Sequence, residues 1–154
     1  MASVFDVAAY ILDVAGPMTA MKLQKLVYYS QAWSLVWDEE PLFSETIEAW
    51  ANGPVVRSLY EAHRGQFRVS SGDVIGNREI LTDTQKETID AVLRDYGLHS
   101  SQWLSDLTHQ ERPWREARHG LAPGERSNRV ISWASMAEYY EAVASDGVAI
   151  DGTE

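Results

Sequence analysis

Between Leu107 and Arg118 the chain reads LTHQERPWREAR, crowding His109, two glutamates, three arginines and Trp114 around Pro113. These side chains have the types that acid–base, metal and anion chemistry use. His109 and Glu111 form an H-x-E pair, the spacing found in zinc-dependent deaminases and one that could serve as general acid and base. The deaminase signature also needs a P-C-x-x-C partner, and the chain has no cysteine. No H-E-x-x-H is present, and His63, His99, His109 and His119 stand at no mutual spacing typical of zinc. Convergence of His109, Glu111 and His119 through a turn is the one metal arrangement that the spacing leaves open. Nucleophilic catalysis lacks a G-x-S-x-G elbow and a cysteine, and a Ser/His/Asp set from distant residues cannot be read from spacing. Neither phosphate-binding glycine pattern occurs. With 23 acidic residues a carboxylate pair is easy to nominate and therefore uninformative. The expectation is no catalytic residue, no metal site and no cofactor.

Charge narrows the partners. The formal net charge is −10, so a phosphate backbone is repelled unless positive charge is segregated. Arg112, Arg115, Arg118, Arg126 and Arg129 stand against only Glu116 and Glu125 in one window, a local +3. Either these arginines pair with nearby acids and cap helices, or they form an electropositive contact surface. No helix combines a basic face with the short glycine turn of a helix-turn-helix, and direct nucleic-acid binding is not expected. The apolar runs are far shorter than the roughly 20 residues that span a bilayer. The segment MASVFDVAAYILDVAG carries two aspartates and no Lys or Arg, and reads as a first helix rather than a secretory signal. A cytoplasmic protein without membrane contact is expected, and the absence of cysteine is compatible with a reducing compartment.

The elements that must position these residues are mostly helical. Ser3 with Asp6 predicts a capped first helix ending at Gly16-Pro17. Thr19 caps a second, AMKLQKLVYYSQAWSLVW, with Leu23, Leu26, Val27, Ser30, Trp33 and Trp37 on one stripe. Lys22, Gln24, Lys25 and Gln31 then fall on its other faces. SETIEAWA alternates as a short strand with Ile47 and Ala49 inward, and Asn52-Gly53-Pro54 marks a turn. Pro54 is expected to open a third helix carrying Val56, Leu59, Tyr60 and His63, closed by Gly65. QFRVSSGDVIGNREILT reads as an irregular connection with room for a short hairpin. Ile89, Val92, Leu93 and Tyr96 set a fourth helix ended by Gly97. Ser100 caps a fifth with Trp103, Leu104 and Leu107.

LTHQERPWREAR then reads as a helix-to-helix corner. Leu107 ends the fifth helix, Thr108 caps by its hydroxyl, and Pro113 takes the first position of a new short helix. Glu111 favours that helix's positive end, Trp114 packs on the core, and Arg115 and Arg118 project outward. After the loop HGLAPGERSNR comes a last helix, ISWASMAEYYEAV, capped by Ser135 with Glu138 and turning Met136, Tyr140 and Val143 inward. The fold class expected is mainly α: one compact helical bundle of about six helices, with a small β element near 45–51 and room for another over 66–80. The domain spans 1–145, followed by an acidic disordered tail over 146–154.

Three stretches taken in order, MKLQKLVYYSQAW, PLFSETIEAWANGPVVRSLYEAHRG and LTHQERPWREAR, resemble the Panacea domain family, which includes SocA-type antitoxins and GepA-like proteins. The resemblance runs from about Met18 to Arg118. It implies an antitoxin that neutralises a cognate toxin by direct binding, the toxin often being encoded by an adjacent gene. One branch of the family implies an adaptor that delivers the toxin to a ClpXP-type protease. No catalytic activity is implied, so an enzyme using His109 and Glu111 is the least favoured reading. The resemblance makes Leu23, Leu26, Tyr29, Trp50, Asn52, Gly53, Pro54 and Pro113 structural signature positions. His109, Glu111, Trp114, Arg115 and Arg118 are the candidates for partner contact.

Overall fold

A helix buried on every side organises the molecule. The computed structural model describes residues 1–146. Thr19 accepts the Lys22 N–H and starts α2, Ala20–Trp37. From Leu23 to Ser34 every residue of α2 is buried. The single stripe expected for this helix is therefore wrong, because α1 (Val4–Ala15), α4 (Asp83–Tyr96), α5 (Ser101–Gln110) and α7 (Trp133–Asp146) all pack on it.

Burial on all sides forces the polar residues of α2 to find internal partners. The Gln31 amide accepts the Leu42 and Phe43 N–H groups and donates to the Phe43 carbonyl. The Gln24 amide accepts the Val56 N–H at 2.9 Å and lies 2.9 Å from the His63 ring. Both glutamines thus act as a strand would, satisfying backbone groups of irregular segments. The placement of Gln24, Lys25 and Gln31 on outer faces is corrected accordingly.

Signals carried by neighbouring residues match the structure. Ser3 and Asp6 form a reciprocal capping box on α1, and Ser100 caps α5. Gly16 and Gly97 terminate α1 and α4. The described residues contain seven α-helices, against about six expected, with α3 at Arg57–His63 and α6 at Arg112–Ala117. Several boundaries differ: α3 starts after Pro54, and α6 starts at Arg112, so Pro113 takes its second position instead of the first. α5 continues to Gln110, and the Thr108 hydroxyl donates back to the Ser105 carbonyl rather than capping a new helix. α7 begins three residues before its expected cap boundary, with Ser132 Oγ accepting the Ser135 N–H.

The β element is larger than the sequence suggests. β2 (Ile47–Trp50) pairs antiparallel with β3 (Gly53–Val55) and with β5 (Val130–Ile131), giving the order β3-β2-β5. β1 (Met18–Thr19) pairs with β4 (Arg68–Val69), so the 66–80 stretch reaches back to an earlier segment instead of forming its own hairpin. Ile47 and Ala49 are buried as expected. Pro54 does not open α3; it sits in edge strand β3 opposite Ala49. The Ala49 N–H turns toward β5 and donates to the Arg129 carbonyl, so the Ala49–Pro54 pair needs no ladder bond and proline fits there. The 146–154 tail lies outside the described residues from 147 onward, and Asp146 closes α7.

Candidate functional site

The three sequence stretches meet on one object, the turn of the β2–β3 hairpin. Ala51 and Asn52 connect the strands, and Gly53 comes next with φ 126°, a conformation that side-chain-bearing residues rarely adopt. Four hairpin carbonyls accept side chains from three helices. Arg118 of α6's C-terminal cap donates to Ala49 at 3.0 Å and the Trp114 indole to Trp50 at 2.8 Å. Ser105 of α5 donates to Asn52 at 2.6 Å, and Lys25 of α2 to Pro54 at 3.4 Å. The side chains clasp backbone, so these bonds depend on the path of the turn and not on its own side chains. A Cβ on Gly53 would lie 2.6 Å from Lys25 Cε, so any side chain there forces the buried Lys25 to shift.

His109 stacks on Trp114 at 4.1 Å between centroids and 15° between planes, and the Arg118 guanidinium lies 5.3 Å from the same indole. The His109 Nε2 atom is buried without a hydrogen-bond partner among the described residues. Burial, with the nearby Lys25 charge, holds the His109 pKa below the usual imidazole value. Lys25 is fully buried, with no carboxylate against it among the described residues, and desolvation lowers its pKa to about 7.

Glu111 turns the other way. It is the extended residue shared by the end of α5 and the start of α6, with Arg112 and Pro113 as the first two helical positions. Its carboxylate makes no cap bond. Oε1 instead accepts the hydroxyls of Tyr29 and Tyr140, each at 2.7 Å. The Tyr28 hydroxyl lies 3.1 Å from that of Tyr140, and Tyr29 stacks on Tyr96 at 4.2 Å. Burial pushes Glu111 up to about 7, against the two tyrosine bonds that lower it. Tyr28, Tyr29 and Tyr140 are in turn raised well above 10, first by burial and then by the Glu111 charge.

These placements sort the expected residues. Leu23, Leu26 and Tyr29 are core, Gly53, Pro54 and Pro113 are buried, and Asn52 is exposed at the turn. Of the contact candidates, Arg115 is exposed, and His109 and Trp114 are half-buried. Glu111 and Arg118 do not present a contact surface. Glu111 is committed to two tyrosines, and Arg118 binds the carbonyls of Ala49, Ala122 and Glu125. Of the five arginines in the basic window, only Arg112 approaches a carboxylate among the described residues, Glu116 at 4.0 Å. Arg118 and Arg129 use carbonyls instead. His109 and Glu111 share no hydrogen-bond partner, and among the described residues no three His, Asp or Glu side chains are placed to hold a metal ion. Sequence reasoning does not assign Lys25, Ser105 or Tyr140 to this site. Lys25 sits on α2 among the polar Lys22, Gln24 and Gln31, so its type does not single it out, and nothing local marks the other two.

The fold and site define a helical scaffold built around a β-hairpin that it holds by its carbonyls. The family model for the SocA-like antitoxin, Panacea domain matches residues 23–115, more than half of the chain and parts of all three stretches that meet here. The chain belongs to that family. No curated protein and no solved structure matches it. Among the described residues no helix is long and apolar enough to cross a membrane.

Proposed function

We propose that this chain is the neutralising partner of a protein toxin and acts by direct, non-covalent binding. The observation that carries the reading is the match to the SocA-like antitoxin domain over the segment that builds the hairpin clasp. The site's chemistry favours binding over catalysis. Glu111 and Arg118 are spent on internal hydrogen bonds, while Arg115 remains exposed beside half-buried Trp114 and His109. Arginine and tryptophan are the residue types that anchor protein interfaces. A net charge of −10 would speed encounter with a basic toxin surface. The cognate toxin is expected from an adjacent gene.

The test is co-expression. The protein encoded beside this chain is induced alone and together with it, and growth is measured. Toxicity alone with rescue by the chain, plus a stable complex on copurification, supports direct binding; a harmless neighbour counts against the antitoxin reading. Repeating the rescue in cells lacking the ClpXP protease separates blocking from delivery, because only delivery fails there.

A further inference from the structure

We propose that the open edge of β5 is where an extended, acidic segment of the partner adds as a further strand. This rests on the antitoxin reading for the partner's biological role, while the chemistry of the edge stands by itself. β5 is the last strand in the order β3-β2-β5. The opposite edge, β3, is buried throughout and packed against α2 and α5. Register fixes which groups β5 leaves free. The Ala49 N–H donates to the Arg129 carbonyl directly opposite, so the next pair, Glu48 with Val130, is of the non-bonded kind. Val130 therefore turns its N–H and carbonyl away from β2. Among the described residues no hydrogen bond uses the backbone groups of Val130 or Asn128. α6 touches β5 but leaves Asn128, Arg129 and Val130 exposed. Val130 is 54% exposed, and Trp133, two residues past the strand, 42%. Unpaired strand groups beside exposed apolar side chains are what strand addition uses: main-chain bonds bind and alternate side chains select.

Charge selects the occupant. The stretch Arg126–Trp133 carries Arg126 and Arg129 and no acidic residue. The loop after α6 folds back so that more arginines join them. Arg118 binds the carbonyls of Ala122 and Glu125, and Arg129 donates to the His119 carbonyl at 2.6 Å. Among the described residues neither of these guanidinium groups, nor those of Arg115 and Arg126, meets a carboxylate. The nearby acids are already engaged or turned elsewhere. Glu48, opposite Val130, is held by two N–H groups of Arg57. Glu125 accepts the Ala122 N–H, and Glu116 and Glu138 border a cleft with Arg112. Glu111 points into the tyrosine cluster. The edge is thus basic on a chain of net charge −10. A basic segment is repelled by Arg126 and Arg129, and two copies joined β5 to β5 set the same arginines against each other. A nucleic-acid strand lacks the amide and carbonyl spacing of a β-strand, and its phosphates meet the acidic remainder of the chain. An acidic polypeptide supplies both the backbone groups and the charge.

A phage-displayed library of random twelve-residue peptides panned on the full chain supplies the probe. The expected enriched peptides alternate Asp or Glu with Val, Ile, Thr or an aromatic residue. Val130→Pro deletes the edge N–H and leaves the β2–β5 bonds, which Val130 does not make, in place. A synthetic representative should bind Val130→Pro about tenfold or more weakly, and Arg126→Glu likewise. On the parent protein, methylating alternate amide nitrogens of the peptide should abolish binding for one set of positions and spare it for the other, a split that strand pairing produces. Ile75→Asp, on another exposed side chain, should leave binding unchanged. Far-ultraviolet circular dichroism checks that each variant is folded. No enrichment, basic consensus peptides, indifference to Val130→Pro and Arg126→Glu, or equal binding of both methylated peptides overturns the assignment. So does displacement of the peptide by a single-stranded oligonucleotide, or concentration-dependent dimerisation abolished by Val130→Pro. Rescue from the neighbouring toxin separates the two readings. If rescue survives Val130→Pro with Arg126→Glu, the edge is wrong and the antitoxin function stands. If the neighbour is harmless, the antitoxin reading fails while the peptide result still decides the edge.

Discussion

Replacing Lys25 by methionine should make the protein more stable, and the gain should depend on pH. Lys25 is fully buried, makes one long bond to the Pro54 carbonyl, and has no anion against it among the described residues. Its pKa falls from 10.5 to about 7 through burial. At about 1.4 kcal/mol for each tenfold change in proton affinity, that fall corresponds to about 5 kcal/mol lost from the folded state. The sign comes from proton counts. Below about pH 7 both states carry the charge and the full penalty applies. Between there and 10.5 the unfolded chain binds a proton that the folded chain does not, so stability rises with pH. Methionine keeps most of the length of the stem and removes the ammonium. The expected gain at pH 7 is about 2–4 kcal/mol, below the ceiling because the Pro54 bond is lost and the fit around Gly53 changes. Urea unfolding followed by tryptophan fluorescence, from pH 6 to pH 10, gives the difference between the two proteins. It should stay constant up to about pH 7 and shrink as pH rises beyond that. A Lys25→Met protein less stable than the parent at pH 7, or a difference independent of pH, would refute the account of an unpaired buried ammonium.

Gly53→Ala should cost about 2–4 kcal/mol, combining left-handed backbone strain with the contact against Lys25 Cε, and its melting temperature should fall accordingly. Glu111→Gln should remove a fall in stability of about 3 kcal/mol between pH 4.5 and about 7, because a carboxyl raised by burial stabilises below that window and loses its contribution through it. The depressed His63 and His109 act in the opposite sense there, so the quantity to compare is the parent-minus-variant difference in urea midpoint. Arg118→Lys should cost about 2–4 kcal/mol, since one ammonium cannot reach the carbonyls of Ala49, Ala122 and Glu125 together. Arg115→Ala should leave stability within about 0.5 kcal/mol while weakening toxin rescue, a split between thermal melting and growth that only a surface contact produces.

Three helix starts were legible because each is written within three residues, while those of α3, α6 and α7 fall elsewhere than expected. Ser3 with Asp6, Thr19 and Ser100 all place their hydroxyl on a nearby N–H. The strands β4 and β5 were not, since two residues carry no period and their partners lie far away in sequence. Pro54 offered two permitted positions, the first turn of a helix or an edge strand, and the Ala49 N–H facing β5 decides between them. The charged residues misled most. Glu111 and Arg118 look like surface groups by type, and their burial depends on donors and acceptors supplied by Tyr29, Tyr140 and backbone carbonyls that no spacing rule brings together.

The same burial makes the family stretch energetically dependent on the residues C-terminal to it. The match ends at residue 115, yet Arg118 holds Ala49, β5 pairs with β2, and Tyr140 supplies one of the two hydroxyls on Glu111. α2 provides the other hydroxyl through Tyr29, so one carboxylate at the α5–α6 joint ties the first long helix to the last. The hairpin is tied through carbonyls at positions 49, 50, 52 and 54, which report on backbone path alone. A change in that path therefore loosens α2, α5 and α6 together, whereas a side-chain change at Asn52 touches none of the four bonds. Arg115 is exposed and takes part in none of the four bonds, so its substitution leaves the hairpin path untouched.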